Sequence, residues 1–190
     1  MKSLVVLLVS LVSFAAGAWT NGALWYDTNG HVVNAHGGGV LTHKGRFYLY
    51  GEHKIYSGRG NRAHAGVHMY SSTDLETWKD EGLVLQVEDK PGSDIEDGCI
   101  LERPKIVHCA KTGKFVMFFH LELKGRGYNA ARTGIAVADK VTGPYAFQRS
   151  LSSFSTGMSA SSTVIAMRLK ATNPSVMNYH SIYRRRRMQS

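Results

Sequence analysis

The sequence predicts an all-β fold assembled from repeated four-stranded units. Short runs rich in Val, Ile, Phe, Tyr and Thr recur between Gly, Asn, Asp and Pro turn signals, which is the pattern of strands and tight turns. Three landmarks keep one spacing: Gly45 and Gly113, Phe47 and Phe115, and Gly66 and Gly134 are each 68 residues apart. Helical heptads and βαβ alternation are absent. Four short strands recurring at a fixed period are the signature of a propeller blade, here stretched by long loops.

The chain opens with a targeting pattern. Lys2 precedes an apolar run over residues 4–14, and Ala16-Gly17-Ala18 gives a small-residue cleavage site before Trp19. This reads as a signal peptide over 1–18 and a secreted or periplasmic mature chain. The run is shorter than the ~20 apolar residues a spanning helix needs, so no membrane partner is expected after cleavage.

The first unit then unfolds in order. A glycine run, Gly37-Gly38-Gly39, leads into a strand at 40–42. Lys44-Gly45 turns it into a return strand at 46–50, as a two-residue hairpin requires. Residues 55–65 form a loop, 66–71 a third strand, and Trp78 begins a fourth that ends near Leu85. Residues 86–98 hold five acidic side chains with Pro91 and Gly92, and form a second loop. The second unit repeats this with strands at 105–108, 115–120, 133–138 and 145–147, and Gly143-Pro144 as its last turn. From about Ser150 the alternation stops, so 19–149 reads as N-terminal blades and 150–190 as an aberrant basic tail without the composition of a packed core.

Charge placement narrows the function classes. The formal net charge is +9, yet all 14 acidic residues lie between Asp27 and Asp139, and residues 19–139 carry 14 basic against 14 acidic side chains. The excess belongs to the tail, including Arg184 to Arg187, so a nucleic-acid partner is not expected of the body. The nine His show no metal-ligand spacing, and neither a structural zinc nor any other cofactor is expected. Cys99 and Cys109 are the only cysteines. They either bridge, closing a small loop around Glu102, or remain two half-buried thiols.

Between them lies the stretch Glu102-Arg103-Pro104-Lys105. Pro104 fixes its own φ and pushes Arg103 toward extended geometry, which sets a carboxylate at the mouth of a stiff strand. Such a carboxylate suits catalysis or sugar gripping. The alternative is a Glu102–Arg103 or Glu102–Lys105 ion pair that only orders a loop.

Several motifs run in a distinctive order: Asn34-Ala35-His36-Gly37-Gly38-Gly39, Tyr50-Gly51-Glu52, Ser71-Ser72-Thr73-Asp74-Leu75-Glu76-Thr77-Trp78, Glu102-Arg103-Pro104-Lys105 and Thr142-Gly143-Pro144-Tyr145. Together they resemble glycoside hydrolase family 43, and within it the exo-β-1,3-galactanase branch, over roughly residues 23–149. The resemblance implies a five-bladed β-propeller, here incomplete, that binds an oligo- or polysaccharide of the β-galactan or arabinogalactan type at its axis. It implies inverting hydrolysis, in which an acid and a water-activating base flank the bond. Glu102 would orient the substrate and tune the acid's pKa. Glu52, Tyr128, His36 and Arg103 would contact sugar, although Glu52 also reads as a solvated strand-end charge, Tyr128 as a surface residue and His36 as a turn cap.

One departure matters. The resemblance places the general acid roughly a hundred residues after the Glu-Arg-Pro-Lys motif, whereas no Asp or Glu follows Asp139. The expectation is a galactanase-like chain whose reading frame changes near 150–157, with a truncated site that binds sugar but hydrolyses it weakly or not at all.

Overall fold

The computed structural model describes residues 22–152. The signal peptide expected over 1–18 and the tail beyond Ser152 lie outside the described residues. Eight strands form two antiparallel meanders: β1 (His36–His43), β2 (Arg46–Lys54), β3 (His64–Ser72) and β4 (Lys79–Gln86) in one sheet, and β5 (Ile100–Cys109), β6 (Lys114–Glu122), β7 (Arg132–Ala138) and β8 (Ala146–Ser152) in the other. A single 3-10 turn, Gly60–Arg62, interrupts the loop before β3. The two four-stranded units thus form as the sequence pattern predicts. Lys44 and Gly45 both have positive φ, 50° and 73°, the geometry that keeps a two-residue hairpin aligned with strand twist.

The register corrects the spacing argument. Phe47 pairs with Ser72 and Phe115 with Ala138, so β2 and β6 are equivalent at an offset of 68. Gly66 pairs with His53, but Gly134 pairs with Phe119, two positions out of step. Each of these glycines has its own local cause. A Cβ on Gly66 would lie 2.0 Å from the Leu85 carbonyl oxygen, and one on Gly134 would lie 2.1 Å from the Phe119 ring.

A stronger repeat sits on the strands that open each sheet. β1 carries a bulge between His36 and Gly39, and β5 carries one between Glu102 and Lys105. Gly37 has φ 55° in the first and Arg103 has φ 53° in the second. Arg103 is therefore left-handed and not extended, and β5 begins ahead of the Glu-Arg-Pro-Lys motif at Ile100. The bulge overrides the preference that Pro104 imposes, because its extra residue must turn out of the ladder.

Both sheets feed one buried cluster. Val67, Met69, Val84 and Leu85 of the first meet Leu101, Met117, Phe119 and Leu121 of the second, with Ile95 and Cys99 from the connecting loop. Burying each such side chain is worth about 1.5–3 kcal/mol. Hydrogen bonds fix the alignment: the Ile106 amide donates to Tyr50 Oη at 3.1 Å and the Tyr145 amide to the Val84 carbonyl at 2.7 Å.

The bridge between Cys99 and Cys109 does not form, and both thiols are free. They stand at opposite ends of an extended strand, on the order of 30 Å apart at about 3.3 Å per residue, far beyond disulfide reach. Burial pushes the Cys99 thiol up to about 12, with Asp97 adding to the effect. Hydrogen bonding from the Thr112 side chain and amide lowers Cys109. A disulfide-exchange reagent at neutral pH is therefore expected to titrate one thiol in the native chain, Cys109, and two after denaturation. Fast labelling of both in native buffer would contradict the packing. In urea unfolding, Gly38→Ala should lose about 3 kcal/mol or more, since its Cβ would lie 1.6 Å from the Tyr50 carbonyl oxygen. Gly58→Ala, at an open position, should stay within about 0.5 kcal/mol.

Candidate functional site

Three glutamates of the two sheets are buried, and their oxygens are occupied very differently. Glu52, near the end of β2, is 5% exposed. Its Oε1 accepts the Arg103 amide at 3.0 Å, and the Lys54 ammonium lies 2.7 Å from Oε2 as an ion pair outside hydrogen-bonding alignment. A Cβ on Gly37 would lie 2.6 Å from Glu52 Oε1, so the glycine run makes room for this carboxylate. Glu52 is no solvated strand-end charge. It staples the two sheets.

Glu122, at the end of β6, is 1% exposed. Its Oε2 accepts the amides of Ala130 and Ala131 at 2.7 and 2.9 Å, and Oε1 lies 3.1 Å from His120 Nε2. These contacts hold the loop that carries Tyr128. The His120 ring stacks against Tyr128, with centroids 6.2 Å apart and planes 12° from parallel.

Glu102 is 7% exposed and only half engaged. Its Oε1 accepts the Tyr128 hydroxyl at 2.6 Å, while Oε2 is buried with no hydrogen-bond donor. The nearest cation to Oε2 is the Arg103 guanidinium at 3.7 Å, whose side chain is 72% exposed. Leaving a buried acceptor unpaired costs on the order of 1–3 kcal/mol. The hydrogen bond to Glu102, and then burial, raises the pKa of Tyr128. Tyr128 Oη also accepts from Asn61 Nδ2 at 2.8 Å, which joins the first sheet's loop to the second sheet's carboxylate.

The structure thus brings Glu102, Tyr128, Arg103 and Glu52 into one region. Arg103 acts there chiefly through its amide. Lys105 does not pair with Glu102; its ammonium reaches the Gly38 carbonyl at 2.7 Å. His36 stands opposite Glu52 in the ladder but lines a separate cavity of about 310 Å³ with Trp25, Val33 and Leu49. It makes no hydrogen bond or ion pair with the glutamates. Among the described residues, no three His, Cys, Asp or Glu side chains come together as a metal would need.

A second chain of polar groups runs through β2, β3 and β4. His53 Nδ1 lies 2.8 Å from His68 Nδ1, and His68 Nε2 lies 2.6 Å from Asp80 Oδ1. Burial, then the neighbouring His68, lowers the pKa of His53. The sequence pattern assigns no role to His53, His120, Glu122 or Asn61. Their partners lie far along the chain or depend on loop closure, so no spacing announced them.

Solved structures similar to this chain share a description. A family 43 β-1,3-galactosidase solved with galactodeoxynojirimycin is 56% identical, with a TM-score of 0.65, over 68% of this chain and 37% of that one. An exo-β-1,3-galactanase from Clostridium thermocellum is 37% identical, with a TM-score of 0.61, over 69% of this chain and 27% of that one. The exo-β-1,3-galactanase from Phanerochaete chrysosporium, solved with galactose, is 33% identical, with a TM-score of 0.60, over 69% of this chain and 29% of that one. The chain therefore spans well under half the length of these proteins. No protein-family model and no curated protein sequence matches it.

Glu122→Ala is expected to speed hydrogen exchange at the Ala130 and Ala131 amides and to lower stability by about 2–3 kcal/mol. Unchanged protection at both amides would show that Glu122 does not order the Tyr128 loop.

Proposed function

Over its described residues the chain belongs to the N-terminal part of glycoside hydrolase family 43, with the β-1,3-galactosidases and galactanases, and from that premise we propose that it holds the sugar-orienting half of a β-1,3-galactan site. The single observation that carries the reading is the pairing of the Glu102 carboxylate with the exposed Tyr128, whose hydroxyl donates to Oε1 at 2.6 Å. A galactose hydroxyl donating to the Glu102 carboxylate, which has acceptor capacity beyond the Tyr128 bond, would engage it further, and the Tyr128 ring, 54% exposed, offers an aromatic face against which a sugar can rest. Related exo-β-1,3-galactanases have been solved with galactose and, as a Glu-to-Gln variant, with β-1,3-galactotriose, which supports a galactan oligosaccharide as the partner. An arabinogalactan backbone is of the same chemical class.

In the reaction, Glu102 is assigned to positioning the sugar and biasing a proton donor beside it. Glu52 acts one step back: by accepting the Arg103 amide, it fixes the bulge that aims Glu102. Inversion needs an acid and a base about 6.5–9.5 Å apart with a water between. The other two buried glutamates have both oxygens engaged, Glu52 by Arg103 and Lys54, Glu122 by His120 and two amides. Neither has an oxygen free to hand a proton to a leaving group. The proposed activity of these residues is therefore binding with little or no turnover.

Calorimetry with β-1,3-galactotriose tests both halves. The chain should bind, and Glu102→Gln should weaken binding about tenfold, the loss of one charge-assisted hydrogen bond. No reducing sugar should accumulate. Unaltered affinity in Glu102→Gln would remove Glu102 from the site, and family-like hydrolysis would overturn the binding-only reading.

A further inference from the structure

Tyr128 also lines a cavity of about 370 Å³ whose other residues the galactan reading leaves unused. Its apolar lining comes from Ile100 and Leu123, with Gly98, Gly125 and Gly127 beside them. Its rim carries Arg59 and Arg62 from the loop before β3, and Asn61 between them. No Asp or Glu lines it. The cavity volume falls within the range that takes a sugar-sized ligand.

The two arginines differ in what already holds them. Arg59 spends one terminal nitrogen on Asp97, at 2.9 and 3.3 Å from its two oxygens. Arg62 meets no carboxylate among the described residues; only its Nε is engaged, at 3.4 Å from the Arg59 carbonyl. Its terminal nitrogens keep their donors for a ligand. Asn61 gives its amide nitrogen to Tyr128 and keeps its carbonyl oxygen as a free acceptor. The wall therefore offers a cation, a fork of donors and an acceptor, continuous through Tyr128 with the half-engaged Glu102.

We infer that this cavity is a subsite for an anionic substituent on the glycan, a sugar carboxylate or a sulfate ester, and that it makes the adjoining site prefer acidic over neutral β-galactosides. The inference rests on the galactan reading of that adjoining site. A planar guanidinium fork matches either group through paired hydrogen bonds. Along a β-1,3-linked galactose chain, C1 and C3 are taken by the backbone. The C6 carbon is free, and oxidation or sulfation there places an anion without disturbing the linkage.

Calorimetry with three synthetic trisaccharides tests this on the full chain: β-1,3-galactotriose, the same sugar with one C6 oxidised to a carboxylate, and the same sugar sulfated at one C6. At low salt one or both acidic sugars should bind about fivefold to tenfold more tightly than the neutral one, and the advantage should shrink toward unity near 0.5 M salt, roughly. Arg62→Gln should bring the acidic-to-neutral ratio to about one, and Arg62→Lys should keep part of it. The tighter of the two acidic sugars names the source of the anion. Equal affinity for neutral and acidic sugars, or a preference that survives Arg62→Gln, overturns the inference while leaving the galactan reading in place. Failure of all three sugars to bind overturns both.

Discussion

The Arg103 amide donates to the Glu52 carboxylate from one sheet to the other, and the arrangement around both bulges follows from it. A bulge takes an amide out of its own ladder, and a buried amide without an acceptor is costly on the scale of a whole hydrogen bond. Glu52 supplies that acceptor, Lys54 balances its charge, and the missing Cβ at Gly37 lets it approach. With Arg103 held left-handed, the preceding Glu102 is delivered to the Tyr128 hydroxyl. The placement of Glu102 is thus inherited from a bond between main chain and carboxylate.

The three buried glutamates show how function separates from scaffolding in a protein of this size. Glu52 and Glu122 are saturated: each oxygen meets an amide, an ammonium or an imidazole. Such carboxylates organise backbone. Glu102 has comparable burial but only one satisfied oxygen. Unequal satisfaction at comparable burial is what distinguishes Glu102 from the two structural carboxylates.

The units and their turns were legible in the sequence because local rules govern them, whereas Glu52 and Tyr128 drew attention only through the family resemblance. Lys44-Gly45 demands a tight hairpin, alternating apolar runs demand strands, and the Glu-Arg-Pro-Lys stretch stands out in an otherwise ordinary region. Arg103 was misjudged because the proline rule is local, whereas the bulge is set by pairing across the sheet and by Glu52. The Gly66–Gly134 landmark fitted the spacing but not the register, since each glycine answers to a different close contact. His120, Glu122 and Asn61 escaped notice because their significance lies in partners supplied by folding. His36 was seen in the sequence, yet it faces another cavity.

The paired bulges carry one more implication. His36 faces Glu52 across the first, and Glu102 faces His120 across the second, so acid and imidazole have traded places on a shared backbone. Duplicated segments that keep their hydrogen-bond frame while exchanging side chains at one rung can diverge in chemistry without renegotiating their packing. Each sheet then resembles a socket whose fitting is interchangeable. New specificities can arise by swapping a residue at the rung, with the surrounding strands left as they were.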